Sequence, residues 1–258
     1  MTNTALITGA SAGIGKEFAR YHASRGGDVI ITARRADRLL DLKAELERHH
    51  GITAHAFAQD IGTADGAVAL AAQVDGAGLT VDILINNAGF GGLGRHVDRA
   101  LEDELGMIDL NVKTLTALTH YFGAKMAAAG GGKILNVGST AGMMPGPNQA
   151  VYFATKAFVQ SFSQAVDQEL RAQGVTCTVL CPGYVETEFG DTAGLEGTPL
   201  TQNSKTTAAQ VAKIGYDAML RGKLVAITEF QLAATLNWVI PFLPRRMVLK
   251  MVEKTQSK

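Results

Sequence analysis

Cysteine is scarce in this chain, and neither sign of charge is in excess. The 258 residues hold two cysteines, one tryptophan and six prolines, and 24 Lys+Arg balance 24 Asp+Glu. Cys177 and Cys181 fall four residues apart in one apolar run. In an extended segment they share a face about 13 Å apart, beyond the span of a disulfide. Without His or Cys partners at ligand spacing they make a poor zinc site. They read as buried thiols in a reducing compartment, and no metal is expected. The even charge balance gives no global field for nucleic acid or an acidic membrane. No run approaches the ~20 apolar residues that span a bilayer. Met1 leads almost at once into Ala5-Leu6-Ile7 rather than into a basic segment and a long apolar run, so no signal peptide is expected. These absences predict a cytoplasmic protein with no nucleic-acid partner and no stable membrane insertion.

What is present is regular alternation. Short apolar, often β-branched runs at Thr4–Thr8, Val29–Ala33, Ala54–Ala58, Ile83–Ile85, Lys133–Val137, Thr176–Cys181 and Val225–Thr228 are separated by helical patterns. That order predicts an α/β fold, a doubly wound parallel sheet of about seven strands with helices on both faces. Helices are expected from Gly13 to a glycine stop at Gly26-Gly27, over Ala36–His49, where Leu39, Leu40, Leu42 and Leu46 form a stripe, and over Leu105–Ala128 and Tyr152–Gln173. No linker, repeat or low-complexity segment divides residues 1–258, so one domain is expected.

The first strand runs into Thr8-Gly9-Ala10-Ser11-Ala12-Gly13-Ile14-Gly15, with a helical pattern directly behind it. Glycines so placed permit a tight turn, close approach of backbone to a pyrophosphate, and close helix–strand packing. The helix start offers free N–H groups and a positive dipole end to the anion. Position between a first strand and a first helix is what makes spaced glycines a dinucleotide signal. The second strand ends in Ala33-Arg34-Arg35. A carboxylate there would accept a ribose 2′-hydroxyl and repel a 2′-phosphate, whereas arginine grips a phosphate with two donors at once. NADP(H) is therefore favoured over NAD(H).

Tyr152 and Lys156 stand at i and i+4 at the start of a predicted helix and share a face. Ser139 ends the fifth strand, inside Gly138-Ser139-Thr140-Ala141-Gly142. Ligands of parallel sheets bind outside the carboxyl ends of the strands, so the three can meet in one crevice. Hydride delivery to a carbonyl develops negative charge on oxygen that must be stabilised and protonated. A tyrosine titrating at about 10 is too weak an acid for efficient transfer in both directions near neutrality, and a neighbouring ammonium is expected to lower that value.

In this order these residues resemble the short-chain dehydrogenase/reductase family, from about Thr4 to Phe189. The loop Thr8 to Gly15 is similar to its TGxxxGxG signature and Asn86-Asn87-Ala88-Gly89 to its NNAG segment. Asn111 matches the asparagine of the following long helix, Ser139, Tyr152 and Lys156 match the serine and YxxxK positions, and Pro182-Gly183 with Thr187 matches PG…T. The resemblance implies a Rossmann fold and a nicotinamide-dependent oxidoreductase acting on a small carbonyl or alcohol substrate. It implies Tyr152 as general acid in reduction, Lys156 holding the nicotinamide ribose and depressing the tyrosine pKa, Ser139 positioning the carbonyl, and Asn111 kinking its helix to hold a water in a proton relay. The implied cofactor contacts are Gly9, Ser11, Ala12, Gly13, Ile14 and Gly15 in the loop, and Arg34 and Arg35 at the 2′-phosphate. Asp60 and Ile61 would meet the adenine, Asn87, Ala88 and Gly89 the floor, and Pro182, Gly183, Val185 and Thr187 the carboxamide, with Tyr152 and Lys156 at the ribose. Ala12 stands where many NADP-preferring members carry a basic residue, so the preference rests on Arg34 and Arg35. A homodimer or homotetramer through the Leu105–Ala128 and Tyr152–Gln173 helices is also implied.

The resemblance extends to 3-oxoacyl and steroid reductases and to 3-hydroxy acid dehydrogenases, and the residues do not choose between them. A dinucleotide-binding sensor or scaffold is the non-enzymatic alternative. Residues 189–206, with Gly190, Gly194, Gly197 and few large apolar side chains, read as a mobile substrate lid. Other pocket candidates are Ala141, Met143 to Pro147, Gln149, Phe90 to Leu93 and Tyr184, with Arg95 in reach of the rim. The extension over residues 229–258 joins Leu236-Asn237-Trp238-Val239-Ile240-Pro241-Phe242-Leu243 to a basic tail of Arg245, Arg246, Lys250, Lys254 and Lys258. Three readings stand for it: packing on its own fold or a subunit neighbour, a cap over an apolar substrate, or shallow membrane association.

Overall fold

The computed structural model describes residues 3–203 and 206–257. Among them β1 (Thr4–Thr8), β2 (Asp28–Ala33), β3 (Ala54–Ala58), β4 (Ile83–Asn86), β5 (Gly132–Val137), β6 (Val175–Cys181) and β7 (Val225–Ile227) form one seven-stranded sheet. Its order is β3-β2-β1-β4-β5-β6-β7, and every pairing is parallel. The helices are α1 (Gly13–Ala23), α2 (Ala36–His50), α3 (Ala64–Gly76), α4 (Leu101–Ile108), α5 (Leu115–Ala128), α6 (Ala150–Leu170), α7 (Glu188–Thr192), α8 (Ala208–Leu220), α9 (Phe230–Trp238) and α10 (Arg245–Thr255). None of the described helices is long and apolar enough to cross a membrane.

Strand side chains alternate between faces, and here both sets are apolar. Ala5, Ile7, Val29 and Ile31 pack with Phe18 of α1, Leu42 of α2 and Val211 of α8. Leu6, Ile30 and Leu84 pack on the opposite face with Leu70 of α3 and Leu118 and Phe122 of α5. The doubly wound Rossmann-type sheet expected from the sequence is the one found. Cys177 and Cys181 are buried and free. Because β1 neighbours both β2 and β4, the chain winds outward in two directions from that pair. A crevice opens beyond the carboxyl ends of such strands.

Two helices depart from expectation. The helix predicted from Leu105 begins at Leu101, and residues Asp109–Thr114 form a π turn before α5. Leu101 and Leu105 are 66% and 50% exposed, so no apolar stripe marked the start. The first helix stops at Ala23, and Ser24, Arg25 and Gly26 turn back with N–H groups on Arg20, His22 and Ala23 carbonyls.

The packing of α1 on α8 turns on a histidine that the sequence did not single out. His22 is fully buried. Its Nε2 lies 2.9 Å from the Asn3 carbonyl, an acceptor only, so Nε2 carries the proton. Nδ1 then accepts from the Tyr216 hydroxyl at 2.6 Å. A Cβ at position 27 would fall 2.1 Å from His22 Nε2, so only glycine fits there. Burial pushes the imidazole pKa below its ordinary value and the Tyr216 phenol up to about 12.

A pH dependence follows. Above an unfolded value of about 6.5 the imidazole is neutral in both states. As the pH falls below that, the unfolded chain takes up a proton that folded His22 resists, and stability drops. Thermal melts between about pH 7.5 and pH 5 are expected to fall more steeply for the wild type than for His22→Gln. Parallel slopes would exclude His22 as the titrating group.

Candidate functional site

A crevice of about 820 Å³ runs along the carboxyl ends of the central strands. At one end stands the glycine loop. Ala12 precedes α1 with extended backbone and no side-chain cap, and the first turn holds no acidic residue. The first N–H groups of α1 are thus left for an anion. Gly13 has φ of 54°. A Cβ on Gly15 would meet the Gly9 carbonyl oxygen at 2.3 Å, and one on Gly9 would meet Ala88 Cα at 2.9 Å. The loop is sewn to the segment after β4. Asn87 Nδ2 donates to the carbonyls of Thr8 (3.0 Å) and Gly9 (3.3 Å). Thr8 Oγ1 accepts from the N–H groups of Asn87 and Ala88, each at 3.0 Å. An uncapped helix start behind a backbone with no room for side chains suits a pyrophosphate.

Ser11, Arg34, Arg35, Asp60 and Ile61 line this end of the crevice. Arg35 Nη2 donates to Ser11 Oγ at 3.0 Å, and Nη1 pairs with Glu188 at 2.8 Å. Arg38 also pairs with Glu188. The two guanidiniums, Arg38 first, hold the Glu188 carboxyl below its usual range. All members of this trio are well exposed, so the ion pairs themselves contribute little. No carboxylate ends β2, and arginine, serine and an open rim suit a phosphate on the ribose.

Midway along, Ser139, Tyr152 and Lys156 converge. Ser139 follows β5 with extended backbone, and its Oγ accepts from Ala141 N at 3.1 Å. Tyr152 lies in the first turn of α6 and lines the crevice with Ser139. Lys156, one turn on, donates from Nζ to the Val137 carbonyl at 2.8 Å and sits 5.8 Å from the Tyr152 ring centroid. Burial pushes the Tyr152 phenol up to about 12, against a smaller downward pull from Ser139. Burial likewise brings Lys156 down to about 8. The expected lowering of the phenol by the ammonium is therefore corrected: desolvation outweighs it, and Lys156 is turned to a backbone carbonyl.

Most of the predicted site residues line this one crevice: Gly9, Ser11, Ala12, Gly13, Ile14, Arg34, Arg35, Asp60, Ile61, Asn87, Ala88, Gly89, Ser139, Tyr152, Lys156, Pro182, Gly183, Val185 and Thr187. Gly15 and Asn111 do not. Gly15 lies behind the loop against Gly9. Asn111, buried in the π turn, receives Phe90 N on Oδ1 (3.1 Å) and donates through Nδ2 to Phe90 O (2.9 Å) and Thr155 Oγ1 (3.2 Å). Through these bonds it braces the segment after β4 against α6.

The far end is apolar. Met144, Phe153, Phe189, Leu195 and Leu200 line it together with Leu232, Leu236, Ile240, Val248 and Val252 of the C-terminal helices. Leu236 and Ile240 belong to the run for which a cap over an apolar substrate is one of the three readings, whereas Leu232, Val248 and Val252 carry no signal beyond ordinary apolar spacing. Residues 189–206, the segment expected to cover the substrate, contribute Phe189, Thr192, Leu195 and Leu200 to the lining. They hold α7 and a turn at Pro199–Asn203, with Ala193 and Leu195 buried and Leu93 N donating to Ala193 O at 2.8 Å; Ser204 and Lys205 lie outside the described residues. Of the pocket candidates, Ala141, Met144, Gln149, Phe90 and Tyr184 line the crevice, whereas Gly91, Gly92, Leu93, Met143, Pro145, Gly146 and Pro147 do not. Arg95 is exposed and paired with Asp98 at 3.7 Å, away from the lining. In the C-terminal run Trp238 and Phe242 are 77% and 79% exposed while Leu236 and Ile240 are buried; Lys258 lies outside the described residues.

Comparison with known proteins places this geometry. A family model described as short chain dehydrogenase matches residues 3–196. The chain is 39% identical over 193 residues to a sulfoacetaldehyde reductase of Chromohalobacter salexigens, covering 73% of this chain and 75% of that one. It is 40% identical over 191 residues to a serine 3-dehydrogenase of Agrobacterium fabrum, covering 73% and 74%. Among solved structures, a short-chain dehydrogenase from Sphingobium yanoikuyae in complex with NADPH superposes with a TM-score of 0.84 at 30% identity, covering 99% and 98% of the two chains.

Proposed function

Since the chain belongs to the short-chain dehydrogenase/reductase family of nicotinamide-dependent oxidoreductases, we propose that it moves a hydride between NADP(H) and the carbonyl or secondary alcohol carbon of a small organic substrate, working chiefly as a ketone or 3-oxoacyl-type reductase. The observation that carries this reading is the convergence of Ser139, Tyr152 and Lys156 in the crevice lining, placed where its anion-binding end meets its apolar end. A bound NADPH would supply the hydride. Ser139 and Tyr152 together donate to the substrate oxygen and hold it as its charge grows. Tyr152, kept protonated by burial, gives its proton to that oxygen. Lys156 offsets the developing charge and holds the nicotinamide ribose. Asn111 keeps Thr155, and so the first turn of α6, in place. Ser11, Arg34 and Arg35 take the 2′-phosphate, with Glu188 leaving Arg35 to it. Similarity to a structure holding NADPH supports that preference. Oxidation of a 3-hydroxy acid is the second reading, favoured by the likeness to a serine 3-dehydrogenase. The exposed Leu101, Leu105 and Phe158 on the long helices support a homo-oligomer.

Tyr152→Phe is expected to lower kcat for reduction by roughly 10²–10⁴-fold while NADPH still binds with unchanged affinity by fluorescence titration. Unchanged turnover would remove Tyr152 from the chemistry.

The pH profile carries a separate expectation. Lys156 is charged below its value of about 8 and neutral above it, so kcat/KM for reduction should fall as pH rises through about 8. A flat profile to pH ~10, near the usual lysine value, would separate the ammonium from catalysis.

Replacing both Arg34 and Arg35 by alanine should raise the Kd for NADPH by about 10–100-fold, since a charge-assisted hydrogen bond contributes about 1.5–3 kcal/mol. The Kd for NADH should move far less. Equal weakening of both would overturn the 2′-phosphate assignment.

A further inference from the structure

The apolar end of the crevice has a composition that the family match does not account for. Among the described residues, its lining from Phe189 onward contains no Lys, Arg, Asp or Glu. The charged lining residues are Arg34, Arg35, Asp60 and Glu188 at the nucleotide end, with Lys156 midway. Lys156 lies on the Ser139 side of this wall and donates to the Val137 carbonyl. An anionic substrate lying beyond Tyr152 would meet mainly apolar side chains, a few neutral threonine and glutamine groups and, among the described residues, no counter-charge, and stripping water from an anion there is costly.

The wall is also built into the protein. Leu236, Ile240, Val248 and Val252 are buried and form a core cluster with Ala141 and Phe153, against which Tyr152 and Leu232 pack. Ala141 follows Ser139, and Phe153 is next to Tyr152, so the cluster joins the reactive residues to the C-terminal helices. A buried amide pair fixes the join: Gln149 Nε2, just before α6, donates to Gln256 Oε1, just after α10. The wall from Leu200 onward lies beyond residues 3–196, which the family model matches. The relatives named for sulfoacetaldehyde and serine align over only 73% of this chain. Their small charged substrates are thus no guide to a surface formed by α9 and α10.

We infer that the substrate is a large, uncharged, mainly apolar ketone or secondary alcohol, its hydrocarbon part held by α9 and α10, and not a small anionic aldehyde or a hydroxy acid. The inference rests on the hydride-transfer reading for the reaction but on the pocket alone for the ligand class.

The test is a rate series with NADPH over 2-butanone, 2-hexanone, 2-octanone and 2-decanone, set against sulfoacetaldehyde, and serine with NADP⁺. The expected kcat/KM rises about fourfold per methylene until the pocket is filled, the effect of burying one CH₂. The long ketones should exceed sulfoacetaldehyde by roughly 100-fold or more. A flat or falling series, or fastest turnover of sulfoacetaldehyde or serine, would overturn it. Leu232→Glu, at a half-buried wall position, should lower the 2-octanone to 2-butanone ratio of kcat/KM by about tenfold or more; an unchanged ratio would also overturn it. Should NADPH bind yet no carbonyl in either set turn over, the hydride-transfer reading fails by itself. Thermal shifts with 2-decanol against 2-hydroxyethanesulfonate then decide the ligand class: stabilisation by 2-decanol alone upholds it, and stabilisation by the sulfonate refutes it.

Discussion

A sheet covered on both faces leaves its polar chemistry one place to go. Every residue of β1 and of β4 is buried, so a polar side chain within either must find a protein partner or lose its hydration uncompensated. Apart from Thr4 at the start of β1, the polar residues fall at the carboxyl ends, Thr8 and Asn86, and their donors and hydroxyls are tied down, although Asn86 Oδ1 is left without a partner among the described residues. Asn86 Nδ2 donates to Asn136 Oδ1 at 2.9 Å and to Thr119 Oγ1 at 3.0 Å, and Asn136 Nδ2 donates to Ser163 Oγ at 2.9 Å. Thr8 and Asn87 bind each other's backbone one step further out. Only past these knots does the chain expose N–H groups and hydroxyls to a ligand, which puts the glycine loop, Ser139 and Tyr152 along one line.

That same constraint explains what could be read from the residues alone. Apolar runs on both faces made the strands legible. Their ends moved by a single residue, outward at Asp28, Asn86, Gly132 and Val175, where pairing runs one residue further, and inward at Ile227. The nucleotide end was legible because its geometry is local: a tight turn and an uncapped helix start need small residues in a fixed order, and the order is visible. The substrate end was legible only in part. Leu236 and Ile240 belong to the run for which a cap over an apolar substrate is one reading, whereas Leu232, Val248 and Val252 carry only the spacing of ordinary amphipathic helices, and nothing in sequence says which surface they cover. Gln149 and Gln256 are 107 positions apart. The glycines of residues 189–206 suggested an open loop because the burial of Ala193 and Leu195 depends on the distant segment around Leu93.

Burial also sets the charge state of the centre in a way no spacing rule gives. Desolvation disfavours the ionised form of each group, raising the phenol and lowering the ammonium, so the two are drawn toward neutrality together. Tyr152 is thereby kept protonated, while Lys156, at about 8, still carries its charge at neutral pH. Cys181, buried beneath Lys156, is pushed to about 12 in the same way. The strongly charged groups are kept at the solvent rim, where Arg35, Arg38 and Glu188 share one another. The crevice is thus graded from ionic at its mouth to hydrocarbon at its far wall.

The π turn at Asp109–Thr114 sets the phase of everything ahead of it. An α-helix advances about 100° per residue, and a π turn accommodates a wider winding within a continuous helical rod. On its far side Leu118 and Phe122 face the sheet, while on its near side Leu101 and Leu105 face outward. Winding these same residues as a uniform α-helix would rotate α4 relative to α5 by about a quarter turn or more. Met107 would leave the interior, and the amide of Asn111 would swing away from Phe90 and Thr155. A single extra residue in the winding therefore keeps the two halves of this rod out of step, one serving the sheet and the other the rim of the crevice.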